Sequence, residues 1–257
     1  MSQYISLAGV YDGLTADVPY GAFAGFYEKV FSLYGIKPQI VLDMACGTGT
    51  LTSIMADRGF EMIGVDASEE MLAVAYEKTE KCSIKPLLLC QRLEDLDLYG
   101  TVGAAVSSLD CLNYIHSEKL AEVFRKMHLF IEPGGVLVFD ILMPEALEAL
   151  DGQVFIDEND ETFCVWRTEY DYCTKSCRYG MDVFVRNGDM WERSFEEHIE
   201  YAHSVDTVVT LLKASGFDSI KVFDAGSCLE CLPAEDKDRR SFIAARRTID
   251  DGGTANG

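Results

Sequence analysis

Basic residues are scarce in this chain: 22 Lys and Arg stand against 43 Asp and Glu in 257 residues, a formal net charge of −21. Phosphate backbones are held by clustered Lys and Arg, so no nucleic-acid substrate is expected. An anionic membrane surface is disfavoured on the same ground. Basic patches occur only at Asp238-Arg239-Arg240 and Ala245-Arg246-Arg247. The acidic excess suits a small neutral or cationic partner, and it also serves plain solubility. No window approaches 18 apolar residues, so no membrane span is expected. Met1-Ser2-Gln3-Tyr4 lacks the basic and apolar regions of a secretory leader, so none is expected. Cysteines are nine, an odd number, at positions 46, 82, 90, 111, 164, 173, 177, 228 and 231. Several fall in apolar runs where Cys acts as a small hydrophobe, the pattern of a reducing cytoplasm. Cys173-x-x-x-Cys177 and Cys228-x-x-Cys231 have chelate-like spacing. No His flanks them closely and the first pair falls at an expected hairpin tip, so no metal is assigned.

A third glycine is also missing where a dinucleotide site would want one. Ile40-Val41-Leu42 is an apolar strand that ends in Asp43 and runs through Met44-Ala45-Cys46 to Gly47-Thr48-Gly49. Such a turn places backbone N–H groups at the carboxyl end of a strand, where open α/β sheets bind ligands. A second strand, Glu61 to Val65, ends in Asp66, positioned to accept hydrogen bonds from ribose hydroxyls. The pair points to an adenosine-type ligand. A dinucleotide fingerprint requires glycine at position 52, and Thr52 stands there instead, which argues against a nicotinamide oxidoreductase.

With 48% hydrophobic residues the chain can build one large domain, or a core domain with a sizeable insertion. Residues 1–37 read as helical, with Tyr4, Leu7, Tyr11, Phe23, Phe26, Tyr27, Val30 and Phe31 near helical spacing and a break at Gly13–Pro19. Strands are expected at about 39–43, 61–65, 86–90, 101–107 and 135–140. Helices are expected at about 50–58, stopped by Gly59, after Ser68-Glu69-Glu70, and at about 117–131. This alternation predicts a parallel sheet covered on both faces. Beyond Pro144 the segments 162–172, 177–186 and 190–201 turn aromatic and β-branched, and Asn187-Gly188 marks a hairpin. A helix at about 204–215 stops at Gly216, and strands 217–223 and 241–246 close the sheet. The fold class is therefore α/β, a Rossmann-like doubly wound, mostly parallel sheet with an antiparallel β-meander inserted after the fifth strand.

The string D-x-x-C-G-T-G-T at 43–50, followed by G-V-D-A-S-E-E-M-L at 64–72, resembles the class I S-adenosylmethionine (SAM)-dependent methyltransferases, and the resemblance is close over residues 38–142. It implies SAM as cofactor, with S-adenosylhomocysteine (SAH) as product. By the resemblance, Asp43 orients the loop and approaches the methionyl ammonium, while Ala45, Gly47 and Gly49 let the backbone pack beside it. Asp66 binds the ribose, and Ala67 and Met71 cover the adenine. The family commonly has an acid in a Q-D-M-like run that bonds the adenine amino group. Here Gln91-Arg92-Leu93 stands in that place, and Arg92 cannot accept that bond. Backbone near Arg92 and Leu93, or Glu94 or Asp95, would then contact the adenine. Ser107 and Leu109 would lie against the cofactor beside the transferable methyl.

Asp110, Tyr114 and His116 are the catalytic candidates, since polar residues at a strand's carboxyl end mark the usual site. The plain alternatives are that Asp110 caps the next turn, Tyr114 is core packing and His116 opens a solvent-facing helix. Asn113, Trp166, Tyr170 and His198 are the acceptor-site candidates. Tyr11-Asp12-Gly13-Leu14 to Pro19-Tyr20 resembles the opening of small-molecule methyltransferases, including sugar N-methyltransferases, where the segment folds over the cofactor. Tyr11 and Tyr20 would be lid residues, or else part of a buried aromatic face. The meander would wall the acceptor pocket or form a homodimer face. The expected division is a lid segment (1–37), a SAM-binding core (38–143), the β insertion (144–202), the closing helix and strands (203–249) and a disordered tail (250–257). The expected activity is cytoplasmic methyl transfer to nitrogen or oxygen of a small molecule. A protein or tRNA methyltransferase of the same fold, or a SAM-binding regulator without turnover, remains as the alternative.

Overall fold

A computed structural model of the chain describes residues 7–224 and 239–249. Tyr4, Cys228, Cys231 and the expected disordered tail lie outside them. Two helices precede the sheet, α1 (Tyr11–Leu14) and α2 (Tyr20–Leu33). Pro19, with its ring-fixed φ, is the N-cap of α2, and Phe23, Phe26, Tyr27, Val30 and Phe31 form the buried stripe of that helix. The alternating core then runs β1 (Ile40–Met44), α3 (Thr50–Asp57), β2 (Glu61–Asp66), α4 (Glu69–Thr79), β3 (Leu87–Cys90), β4 (Val102–Val106), α5 (Ser117–Phe130) and β5 (Ile131–Leu142). After the short helix α6 (Pro144–Glu148) come β6 (Val154–Glu158), β7 (Thr162–Asp171), β8 (Ser176–Asn187) and β9 (Met190–Tyr201). Helix α7 (Val205–Ala214) and strands β10 (Phe217–Asp224) and β11 (Arg240–Arg247) follow.

Seven strands form one sheet in the order β10-β11-β5-β4-β1-β2-β3, and β6 to β9 form a second, antiparallel sheet. In the first sheet β1 pairs in parallel with both β2 and β4, while β11 runs antiparallel between β5 and β10. The chain therefore winds outward in both directions from β1 and β4. That reversal opens a crevice at their carboxyl ends. Strand alternation splits the core: Leu42 and Met44 pack with Phe124, Phe139 and Leu212, whereas Val41 packs with Phe23, Tyr27, Met55 and Phe242 on the opposite face.

The observed elements follow the expected order. Strand β6 and helix α6 were not anticipated, and β5 begins at Ile131, ahead of Gly135. The inserted sheet turns one face toward the core domain. There Leu7, with the partly buried Val10, Tyr11 and Leu14, packs on Cys164, Met181 and Val183. The lead-in segment is thus gripped by the insertion.

Candidate functional site

The crevice is built at the turn leaving β1. Ala45, Gly47 and Gly49 all take positive φ, at 55°, 53° and 75°, which curls the chain tightly before α3. Gly47 donates its N–H to Asp66 Oδ2 at 2.9 Å, and Ser68 donates its N–H to Asp66 Oδ1 at 2.9 Å. Asp66 therefore holds two loops, one after β1 and one after β2. Ser68 also caps α4 by accepting the Met71 N–H at 3.2 Å. Asp43 is 2% exposed and accepts the Thr52 hydroxyl at 2.5 Å. Burial pushes the Asp43 carboxyl up to about 7, with the Thr52 bond opposing and the Asp66 charge adding to the rise. Burial also raises Asp66, against the Ser68 and Gly47 amides. Position 52 thus serves Asp43. The close helix approach occurs instead at Gly49, where a Cβ would lie 2.9 Å from Ala75 Cβ.

A cavity of about 440 Å³ opens over this loop, at the carboxyl ends of β1, β2 and β4. Of the residues expected at the cofactor, Asp43, Ala45, Gly47, Asp66, Ala67 and Met71 line it. So do Tyr11, Tyr20, Arg92, Leu93 and Leu109. Gly49 stands behind the wall as the N-cap of α3. Ser107 is buried, and its carbonyl accepts the Tyr27 hydroxyl at 2.8 Å. Arg92 turns its guanidinium to Glu94 at 3.0 Å. At one edge Asp12 accepts the Thr48 hydroxyl at 2.6 Å and pairs with Lys78. Burial pushes the Asp12 carboxyl up, but Lys78, Thr48 and Thr50 outweigh it and hold the group below its ordinary range.

The other end of the cavity is polar. Leu109 and Asp110 take consecutive positive φ values, 58° and 53°, a strained pair of the kind that clusters at functional sites. Asp110 makes no side-chain cap to the turn that follows. It pairs with Arg240 at 2.5 Å, donates its N–H to Asp140 Oδ2 at 3.1 Å, and shares Arg240 with Asp140. Tyr114, Trp166 and His198 line this end, joined by Tyr179, Met181 and Glu200, which sequence reasoning missed. Their signal was available: Asn187-Gly188 fixes the hairpin register, which pairs Tyr179 with His198 and puts Glu200 on the same face of β9.

Besides Gly49 and Ser107, three of the catalytic and acceptor-site candidates fall outside the cavity. His116 caps α5, with its side chain half exposed, accepting the Glu118 N–H at 3.3 Å. Asn113 is fully buried and ties β5 to β9, donating to Leu142 and Tyr201 carbonyls at 3.1 Å each and accepting the Leu142 N–H at 3.0 Å. Tyr170 packs with Leu147 and Cys177. Among the described residues no three His, Cys, Asp or Glu side chains group to hold a metal ion. Cys173 is exposed and Cys177 buried. No described helix is long and apolar enough to cross a membrane.

The fold and this loop define an α/β protein built to hold a nucleoside. Its sequence matches the methyltransferase domain family over residues 41–135. YqeM of Bacillus subtilis, whose name assigns it provisionally to the methyltransferases, is 30% identical over 247 residues, 95% of this chain and 97% of its own length. A SAM-dependent methyltransferase from Clostridium acetobutylicum superposes with a TM-score of 0.82 at 28% identity, covering 95% of this chain and 99% of that one. The sugar N-methyltransferase KedS8 from a Streptoalloteichus species shares the fold, with a TM-score of 0.75 at 20% identity over 93% and 92% of the two chains. The chain belongs to the class I SAM-dependent methyltransferases, and SAM is its cofactor.

Proposed function

We propose that the chain methylates a nitrogen or oxygen of a small molecule seated between Leu109 and the inner face of the inserted sheet. The observation that carries this reading is that the Asp43–Asp66 loop and the Asp110–Tyr114–Glu200 group line the same cavity under α1. An enclosure of about 440 Å³ walled by the lead-in segment and the meander suits a compact acceptor better than a macromolecular chain. The name of KedS8, a sugar N-methyltransferase, agrees with that size class.

The residues present fit the cofactor. Asp43 is a buried carboxyl whose ionised form wants a cation, which a methionyl ammonium provides. At Gly47 a side chain would project into open space, so the backbone itself faces the ligand. Asp66 is fixed by two amides and keeps lone pairs for ribose hydroxyls. Ala67 and Met71 provide the apolar wall for adenine, and backbone about Leu93 its polar edge. When bound, SAM supplies an electrophilic methyl group on a sulfonium. The rest of the work belongs to the chain: Tyr11, Leu14 and Tyr20 exclude water, and Asp110, Tyr114, Trp166 and His198 orient the acceptor. In this reading the lid is the part of the expected 1–37 segment that lines the cavity, from Leu7 to Tyr20, whereas the rest of α2 packs into the core beneath the sheet. Residues 144–202 are the acceptor wall. We place the reaction in the cytoplasm, because the cysteines at the cavity, Cys46 and Cys111, are free thiols.

Calorimetric titration with SAM, SAH and NADH tests the cofactor half. Micromolar binding of the first two and none of the third is expected, with binding lost in Asp66→Ala. A screen of amines and hydroxylated metabolites then tests the acceptor half. Turnover only on a protein or RNA substrate would overturn it.

A further inference from the structure

Strand β9 brings Glu200 to the cavity wall two residues after His198. Glu200 is 4% exposed. Tyr179 on β8 donates its hydroxyl to Glu200 Oε2 at 3.2 Å, and Tyr114 hydrogen-bonds to the same carboxyl group. Asn113 anchors the neighbouring Tyr201 carbonyl to the end of β5, so the position of Glu200 is fixed from the core side. The charged groups facing Glu200 are Asp110 at the end of β4 and Arg240 on β11. Asp140 on β5 stands beyond Arg240, Cys177 lies near the Tyr179 hydroxyl, and the His198 ring meets Tyr114 edge-on at 6.0 Å. Arg240 is committed to Asp110 and Asp140, so one guanidinium serves two carboxylates. Glu200 is a third, and it makes no ion pair among the described residues. Burial, and then the Asp110 charge, push it well above the ordinary carboxylate range. A cation in the cavity would act against that rise.

An acceptor that attacks through N–H or O–H carries one proton too many once its new bond is made, and a side chain on the cavity wall can take that proton. We propose that Glu200 is the proton acceptor of the methyl-transfer step, held for that task by the hydroxyls of Tyr179 and Tyr114. The acceptor's lone pair forms the bond to the methyl carbon. The carbon–sulfur bond breaks with its electron pair kept on sulfur, and the acceptor's proton passes to the Glu200 carboxylate, which later returns it to solvent. Glu200 reaches its ionised form because a positive charge in the same cavity favours the carboxylate. The inference rests on reading the cavity as a methyl-transfer site.

SAM and SAH provide the test without any acceptor. They share the adenosine and the amino-acid end and differ by one methyl group and one positive charge. Proton changes at Asp43 and Asp66 therefore cancel between the two titrations, and the difference reports the groups that face the sulfonium. Calorimetry of the full chain near neutral pH, repeated in buffers of different ionisation enthalpy, counts the protons released. SAM should release up to about one proton more than SAH. Glu200→Gln should abolish that excess while SAH affinity stays within about threefold of wild type. Equal proton counts for the two ligands, or an excess that survives in Glu200→Gln, overturn the proposal and leave the methyltransferase reading standing. Failure of both ligands to bind overturns that reading and this proposal with it. Should Glu200→Gln not fold, Tyr179→Phe keeps the carboxyl but removes a donor that favours its charged form. The pH above which the excess vanishes must then rise, and an unmoved edge overturns the proposal. A Glu200 that does not feel the sulfonium charge would leave the proton count untouched.

Discussion

Asp12 and Lys78 meet at 2.6 Å across the edge of the cofactor cavity, joining α1 to α4. Thr48 donates to the same carboxylate at 2.6 Å, and Lys78 reaches the Thr50 hydroxyl at 2.6 Å. The two threonines that flank Gly49 thus serve the lead-in helix, which gives the Thr-Gly-Thr run a second purpose. Asp12 is 46% exposed in its side chain, so the pair is screened by solvent and contributes little to global stability. Its effect falls on how long α1 stays closed. Asp12→Asn should speed SAH dissociation by roughly three- to tenfold in stopped-flow measurements, with the unfolding midpoint almost unmoved. An unchanged dissociation rate would mean that α1 opens without breaking this pair.

Asp43 gives the ligand-free protein a pH dependence whose sign is fixed by burial. Its folded-state value of about 7 lies above that of the unfolded chain, so between the two the native state holds the extra proton. Stability from this group is therefore present at acidic pH and declines as pH rises through about 7. Bound SAH should flatten the decline, because an ammonium beside Asp43 favours the carboxylate. Thermal unfolding from mildly acidic to mildly alkaline pH, with and without SAH, reads both effects. Asp43→Asn should remove Asp43's share of the slope and weaken SAH by roughly tenfold or more, about 1.4 kcal/mol. A slope identical in wild type and variant would show that Asp43 does not titrate in this range.

The parts of the fold that were legible in the sequence are those fixed locally. Gly59 and Gly216 follow the last turns of α3 and α7, Ser68 caps α4, and the strands between them are apolar runs whose pattern alone identifies them. Strand β6 had no such signature: all five of its residues are exposed, and it is ordered by pairing along β7. Thr52 could be read as a missing glycine, but its bond to Asp43 depends on how α3 leaves the loop. The Asp140–Arg240 contact joins residues 100 apart in sequence. It exists because β11 enters antiparallel beside β5, with Arg240 opposite Leu142, and no local pattern encodes that register. His116 shows the reverse case: of the two readings its sequence position allowed, the structure has the helix start, with the side chain half exposed as the cap of α5.

Gly49 permits a direct test of the helix approach that Thr52 does not supply. A Cβ there would stand 2.9 Å from Ala75 Cβ and 3.2 Å from its Cα, at a φ of 75°. Gly49→Ala should cost about 2–4 kcal/mol, part from the clash and part from the left-handed backbone. Adding Ala75→Gly should recover the steric part only, after allowing for the ~1 kcal/mol that glycine costs inside a helix. Urea unfolding of the single and double variants measures the coupling. Simple additivity of the two changes would show that the helices separate freely.

Arg240 is 12% exposed and holds two carboxylates, Asp110 at the cavity wall and the fully buried Asp140 behind it. Burial raises Asp140 and Arg240 counters it, while Asp110 pushes it further up; Asp140 Oδ1 has no hydrogen-bond partner among the described residues. The guanidinium is therefore what makes two acids tolerable at the end of β4 and β5. Arg240→Met should cost about 3–5 kcal/mol at neutral pH, because it leaves buried negative charge uncompensated. Without the cation Asp140 binds its proton more tightly in the folded state, so the deficit relative to wild type should shrink as pH falls. Asp140→Asn in the Arg240→Met background should restore more than half of the loss at neutral pH and blunt its pH dependence. Arg240→Lys separates charge from shape: one ammonium cannot bridge two carboxylates as a planar fork does, so it should recover only part of the stability. If Arg240→Met were as stable as wild type at every pH, water would have to reach Asp110 and Asp140, and the polar end of the cavity would be open to solvent.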